Sequence, residues 1–148
     1  MRLHLPRQFG QPRQGRVEAG GFAEAVVRMM ILLAQARGAV RRNRLARSNA
    51  LMQSEPPFDA MTAEARQALI REQTVIVSMA PAEALAALPR LLPKAAERRR
   101  AMALVEAVAG PEAELGDAAR AMLAQQRGVL GLTLSLVPVG YEGAAMPD

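Results

Sequence analysis

The sequence predicts an all-α protein: a compact bundle of about six to seven helices with a weak internal helix-pair repeat. Three observations predict it. The stretch FAEAVVRMMILLAQA, residues 22–36, carries only Glu24, Arg28 and Gln35 as strongly polar residues. At 100° per residue these three fall within about 40° of one another, so the helix is apolar around the rest of its girth, with one narrow wet seam. Alanine, leucine and methionine fill the apolar positions, whereas aromatics reduce to Phe9, Phe22, Phe58 and Tyr141, and the few β-branched residues gather mostly at 74–77. That mixture suits helix-on-helix packing better than a sheet. Glycine and proline punctuate the chain at intervals that suit helices of ordinary length.

The central stretch is too short for a membrane span, because fifteen residues rise only about 22 Å as a helix and two charges interrupt them. It is expected to lie at the centre of a core, with the rest of the chain covering it. With 148 residues the chain allows one domain that can bury a core without staples, and the absence of cysteine excludes a disulfide framework. Residues 1–20 mix Pro6, Gly10, Pro12 and Gly15 with arginine and glutamine, and read as a mobile basic arm. No apolar h-region follows its charges, so a cytoplasmic protein is expected.

Gly20 and Gly21 open the central helix, which ends near Arg37 and Gly38. A second helix is expected over about 41–53, with Leu45, Ser48, Asn49 and Met52 on one side, stopped by Ser54-Glu55-Pro56-Pro57. Asp59 or Thr62 is the N-cap of a third, 62–78, whose face is Ala65, Leu69, Gln73 and Ile76. Pro81 starts a fourth, 81–88, and Pro89 and Pro93 bracket one further turn. Residues 94–109 form the second long helix, with Met102, Val105, Val108 and Ala109 as its stripe. Asp117, or Gly116 before it, begins a last helix to about Arg127, with Ala118, Ala121, Met122 and Gln125 facing inward. Leu130, Leu132, Leu134 and Leu136 then alternate with small or polar residues, which reads as an extended segment, and 133–148 as an extended or disordered tail. The leucines either dock on a partner or fold back over the chain's own helices.

The repeat is a long apolar helix, a loop and a shorter helix, at 22–53 and again at 95–127. Val40 and Leu115 occupy matching places in the two loops. Such pairs do not bury their faces alone, so two of them packed about a shared centre is the natural solution.

The net charge is +5, and of 19 basic residues only Lys94 is a lysine. Arg37, Arg41, Arg42, Arg44 and Arg47 form a block with no acid between Glu24 and Glu55, able to attract phosphates or an acidic partner. The competing reading is an arginine-biased solvated surface, since no aromatic stacking residue lies among them. Catalysis is not expected. The single histidine, His4, sits in the arm, and Ser48, Ser54, Ser78 and Ser135 lack a histidine partner. Lys94 stands at a solvated helix start, and no cofactor is expected.

The segments AVVRMMILLAQARGAV (25–40), ALAALPRLLPKAAERRRAMALVEAVAG (84–110) and AMLAQQRGVLGL (121–132) resemble the TerB-like family of tellurite-resistance-associated helical domains. The resemblance covers about 21–132. The chain is also similar to the C-terminal helical region of larger bacterial proteins whose front part is an α/β-hydrolase of the polyhydroxyalkanoate-synthase kind, a part for which this sequence has no G-x-S-x-G elbow. The resemblance implies a helical interaction or accessory domain with a protein partner, for which an α/β-hydrolase-like protein is the candidate. Family members carry acidic loops considered as divalent-metal sites. Here the two expected aspartates of the first loop are Arg37 and Arg41, leaving Glu112, Glu114 and Asp117 in the second as candidates for a hard cation. Their other reading is an acidic helix start capped by Asp117. No bound metal is expected, and ion pairs between the two loops would stand in for one. Two other functions compete: an anion- or nucleic-acid-binding module built on the Arg37–Arg47 block, and an orphaned C-terminal domain of a hydrolase-like protein.

Overall fold

The computed structural model describes residues 17–37 and 42–132, and for residues 42–46 and 112 it describes the backbone alone. Among the described residues seven α-helices follow one another: α1 (Phe22–Arg37), α2 (Arg42–Ser54), α3 (Ala63–Met79), α4 (Pro81–Ala86), α5 (Leu88–Leu91), α6 (Ala95–Ala109) and α7 (Asp117–Val129). Short 3-10 turns at Phe58–Ala60 and Glu112–Glu114 join α2 to α3 and α6 to α7. Among the described residues there is no strand, and no helix is long and apolar enough to cross a membrane.

Helix α1 is the axis of the bundle, packed extensively against α3, α6 and α7 and less so against α4 and α5. Every one of its residues is buried or half-buried except Gln35. The three polar residues of the expected wet seam therefore have three different fates. Glu24 is the third residue of the helix, and its Oε1 accepts from the Gly21 backbone N–H at 2.8 Å, satisfying a donor that would otherwise be orphaned at the helix start. Arg28 is 0% exposed, contrary to the seam, and lies in the core. Of the three, Gln35 is the exposed one.

The repeat takes a crossed form. Instead of each pair closing on itself, α2 packs mainly on α6 and α7 packs on α1, so each short helix lies on the long helix of the other pair. Leu115, in the second loop, is buried, while Val40 lies outside the described residues.

Several boundaries and faces differ from expectation. The fourth helix divides at Ala87, two residues before Pro89, instead of continuing to residue 88. Proline lacks an N–H, so the chain restarts its helix where Pro89 occupies the first turn and no donor is needed. Thr62, not Asp59, caps α3, its hydroxyl accepting from the Ala65 N–H at 3.0 Å. The inward face of α3 matches at Leu69, Gln73 and Ile76, and that of α6 at Met102, Val105, Val108 and Ala109, all buried. On α2, Met52 is buried but Asn49 is exposed, and Leu51 takes the second inward place. On α7 the expected face is off by one: Ala119, Leu123 and Gln126 are buried, whereas Ala118, Ala121 and Gln125 are exposed.

The expected extended segment does not begin at Leu130. Leu130 is buried and caps α7, followed by Gly131 at φ 73°. The Leu132 N–H returns to the Arg127 carbonyl at 2.8 Å and the Gly131 N–H to that of Gly128 at 3.1 Å, a Schellman closure in which glycine takes the left-handed position. Leu134 and Leu136, with the rest of 133–148, lie outside the described residues. At the other end, residues 1–16 lie outside them too, but Val17 is 3% exposed within the core and Glu18 reaches Arg90 at 3.6 Å, so the fold begins before the arm was expected to end.

Candidate functional site

The expected binding residues are arginines, and many of the described arginines donate to backbone carbonyls, while Arg90 and Arg127 pair with Glu18 and Glu106. Arg28 binds the Ala84 carbonyl at 3.1 Å, Arg66 those of Phe58 and Met61, Arg98 those of Leu92, Pro89 and Leu130, Arg100 that of Pro56, and Arg120 that of Leu115. A guanidinium carries five N–H donors in a planar fork, so one side chain closes several of the carbonyls that every helix leaves unpaired at its end. With seven helices packed in so short a chain, such carbonyls are numerous. The near-exclusive use of arginine over lysine fits this work.

Arg37 and Arg47 do the same at the C-terminus of α6. Arg47 Nε donates to the Val108 carbonyl at 3.1 Å, and Arg37 Nη2 reaches that of Ala109 at 3.5 Å. The end of a helix carries about half a negative charge, which two guanidinium groups compensate. Gly110, at φ 90°, turns the chain there, and a Cβ on it would stand 2.7 Å from Arg47 Nη2. Of the other block members, Arg41 and the side chains of Arg42 and Arg44 lie outside the described residues.

At this end of α6 the described arginines of the block, Arg37 and Arg47, meet carbonyl oxygens. Glu114 is exposed, and Asp117 pairs with Arg120 one turn along α7. The side chain of Glu112 lies outside the described residues. Among the described residues no group of three histidine, cysteine or acidic side chains could hold a metal ion.

Next to this arginine end lies a cavity of about 300 Å³. Val27, Met30, Ile31 and Ala34 of α1, Met52 of α2, Ile70 of α3 and Val108 of α6 line it. Its polar residues are Arg37, Ser48 and Asn49. The cavity escaped the sequence reading because helices that leave a gap have the same apolar periodicity as helices that close it. Ser48 and Asn49 on an expected inward face were the available hint.

A second polar site was also invisible in sequence. Arg28 Nε donates to Gln73 Oε1 at 2.8 Å, joining α1 to α3, while its Nη1 holds the end of α4. Burial lowers the Arg28 pKa below its ordinary value, against the opposing pull of Glu24 and Glu72. Arg28 and Gln73 are both fully enclosed. On the other side of α1, the buried Gln126 donates from Nε2 to the Met29 carbonyl at 3.0 Å, fastening α7. These groups act on the fold and face no open cleft.

No family model matches the chain, and no curated protein or solved structure matches it.

Proposed function

We propose that the chain is a non-enzymatic helical interaction domain of the TerB-like kind, a cytoplasmic accessory module that works by binding a protein partner. The observation that carries this reading is the engagement of Arg37 and Arg47 with the carbonyls at the end of α6. It takes from the arginine block two of the charges on which the anion-binding reading depends and makes them part of the bundle. The degenerate first loop supports the same reading, because Arg37 and Arg41 stand where the family carries ligating acids, and Arg37 binds a carbonyl of the bundle. An α/β-hydrolase-like protein is the partner that the family resemblance puts forward.

The test is affinity capture of the full chain from cells of its source at rising salt. One protein recovered in stoichiometric amount and retained through the salt rise is expected, since contact between apolar surfaces is little screened. Recovery of nucleic acid, lost steeply between low and physiological salt, would overturn the proposal in favour of the basic module.

A further inference from the structure

Helix α3 is buried on one side only, where Leu69, Gln73, Ile76 and Val77 hold it to the core. On the opposite side Glu64, Ala68, Arg71 and Val75 are all exposed, and at 100° per residue they fall within about 60° of one another. Val75 is 50% exposed and Met79, one turn further on, 45% exposed; among the described residues these are the large apolar side chains left open to water. A β-branched residue at such a position adds nothing to helix propensity and leaves apolar surface uncovered.

The two charges of this face have no partner within their own helix. Glu64 and Arg71 stand two turns apart, about 10 Å along the axis, too far to meet each other. Neither takes part in an ion pair among the described residues. Their order along the chain, acid first and base second, is complementary to itself when reversed. Two copies of α3 laid antiparallel and crossing at Ala68 place Glu64 of each copy within about one residue of Arg71 of the other, on both sides of the two-fold axis. The small side chain of Ala68 lets the two helices approach closely at the crossing. Val75 then comes over the start of the second copy's α3, beside the half-buried Met61. A parallel arrangement would set Glu64 on Glu64 and Arg71 on Arg71, which like-charge repulsion disfavours.

We propose that the outward face of α3 is a self-association surface, on which a second copy of this chain docks antiparallel through reciprocal Glu64–Arg71 pairs about Ala68, with Val75 covered. One helix face is a small interface, so the dimer is a transient one. The inference concerns the chain with itself and does not rest on the partner reading above.

Sedimentation equilibrium of the full chain at low salt, from about 10 μM to about 1 mM, tests the assignment. A monomer–dimer equilibrium is expected, with a dissociation constant of about 0.1–1 mM. Glu64→Arg and Arg71→Glu each turn two attractive pairs into repulsive ones, and each is expected to weaken association about tenfold or more. An equimolar mixture of these two variants is expected to associate as the parent does, because every facing pair is again of opposite sign. Val75→Ser is expected to weaken the dimer about tenfold with little dependence on salt. All three positions are exposed, and circular dichroism of each variant checks that the fold is kept. A parent chain that stays monomeric throughout would overturn the proposal. So would a dimer that the reversals or Val75→Ser leave intact, or a mixture that associates no better than its separate, folded components.

Discussion

Removing the Gln73 acceptor tests how far the core depends on the Arg28 contact. In Gln73→Leu the side-chain volume is nearly kept, but Arg28 Nε loses its 2.8 Å partner in a site with no solvent exposure. What remains is the Ala84 carbonyl, and Arg28 Nη2 already has no hydrogen-bond partner among the described residues. Losing a hydrogen bond to a charged group costs about 1.5–3 kcal/mol, and stripping a buried charge of its partner costs about 3–5 kcal/mol. We expect about 3 kcal/mol, toward the lower figure because one carbonyl is retained and Glu24 and Glu72 still favour the charge. For a domain of this size that corresponds to a fall of roughly 10 °C in melting temperature.

Arg28→Met removes the charge and leaves the Gln73 amide unpaired, at a cost of about 1–2 kcal/mol. The double variant leaves neither problem and is expected within about 1 kcal/mol of the parent, because a hydrophobic replacement of a buried polar pair is often neutral. The assay is urea denaturation followed by far-ultraviolet circular dichroism, read as a double-mutant cycle. Coupling of about 2 kcal/mol or more is the expected result. Additive single variants, or a Gln73→Leu loss below about 0.5 kcal/mol, would refute the reasoning, since Arg28 would then have another way to be solvated. Both folded and unfolded chains carry the Arg28 charge below strongly alkaline pH, so its lowered pKa should leave stability unchanged from roughly pH 5 to 9.

Three further outcomes follow from the packing. Gly110→Ala sets a side chain at φ 90° and 2.7 Å from Arg47 Nη2, and is expected to cost about 1–3 kcal/mol of unfolding free energy. Leu123→Ala should cost about 2–4 kcal/mol, but exposed Ala121→Ser under 0.5, in the same urea titration; the reverse order would restore the face of α7 read from sequence. Thr62→Ala should lose about 1 kcal/mol and raise amide exchange at the start of α3, where the hydroxyl holds the Ala65 N–H.

Much of the architecture was legible because it rests on local rules. An apolar helix bounded by glycines, a threonine at an N-cap and prolines in first turns each act within a few residues, and α1, α3 and α6 appear nearly where their periodicity put them. The face of α7 was not legible. With alanine at 118, 119, 121 and 124, the apolar stripe can be drawn one residue either way, and what chooses between them is the bond from Gln126 to Met29, 97 residues earlier. Arg28 was misread for a related reason. Periodicity records that a side chain is polar, not that its acceptors lie 45 and 56 residues further on. The candidate site is subject to the same limit: arginine spacing shows where charge accumulates, but whether it faces a phosphate or the end of a helix depends on which helix ends arrive nearby.

Gln35 is the one exposed residue of the axial helix, the others being buried or half-buried. A dye or spin label attached there through an introduced cysteine, the chain having none of its own, would ride on the element that touches most of the others without entering the packed interior. Since the protein also lacks tryptophan and has a single tyrosine, that position offers a silent background from which to watch the bundle assemble.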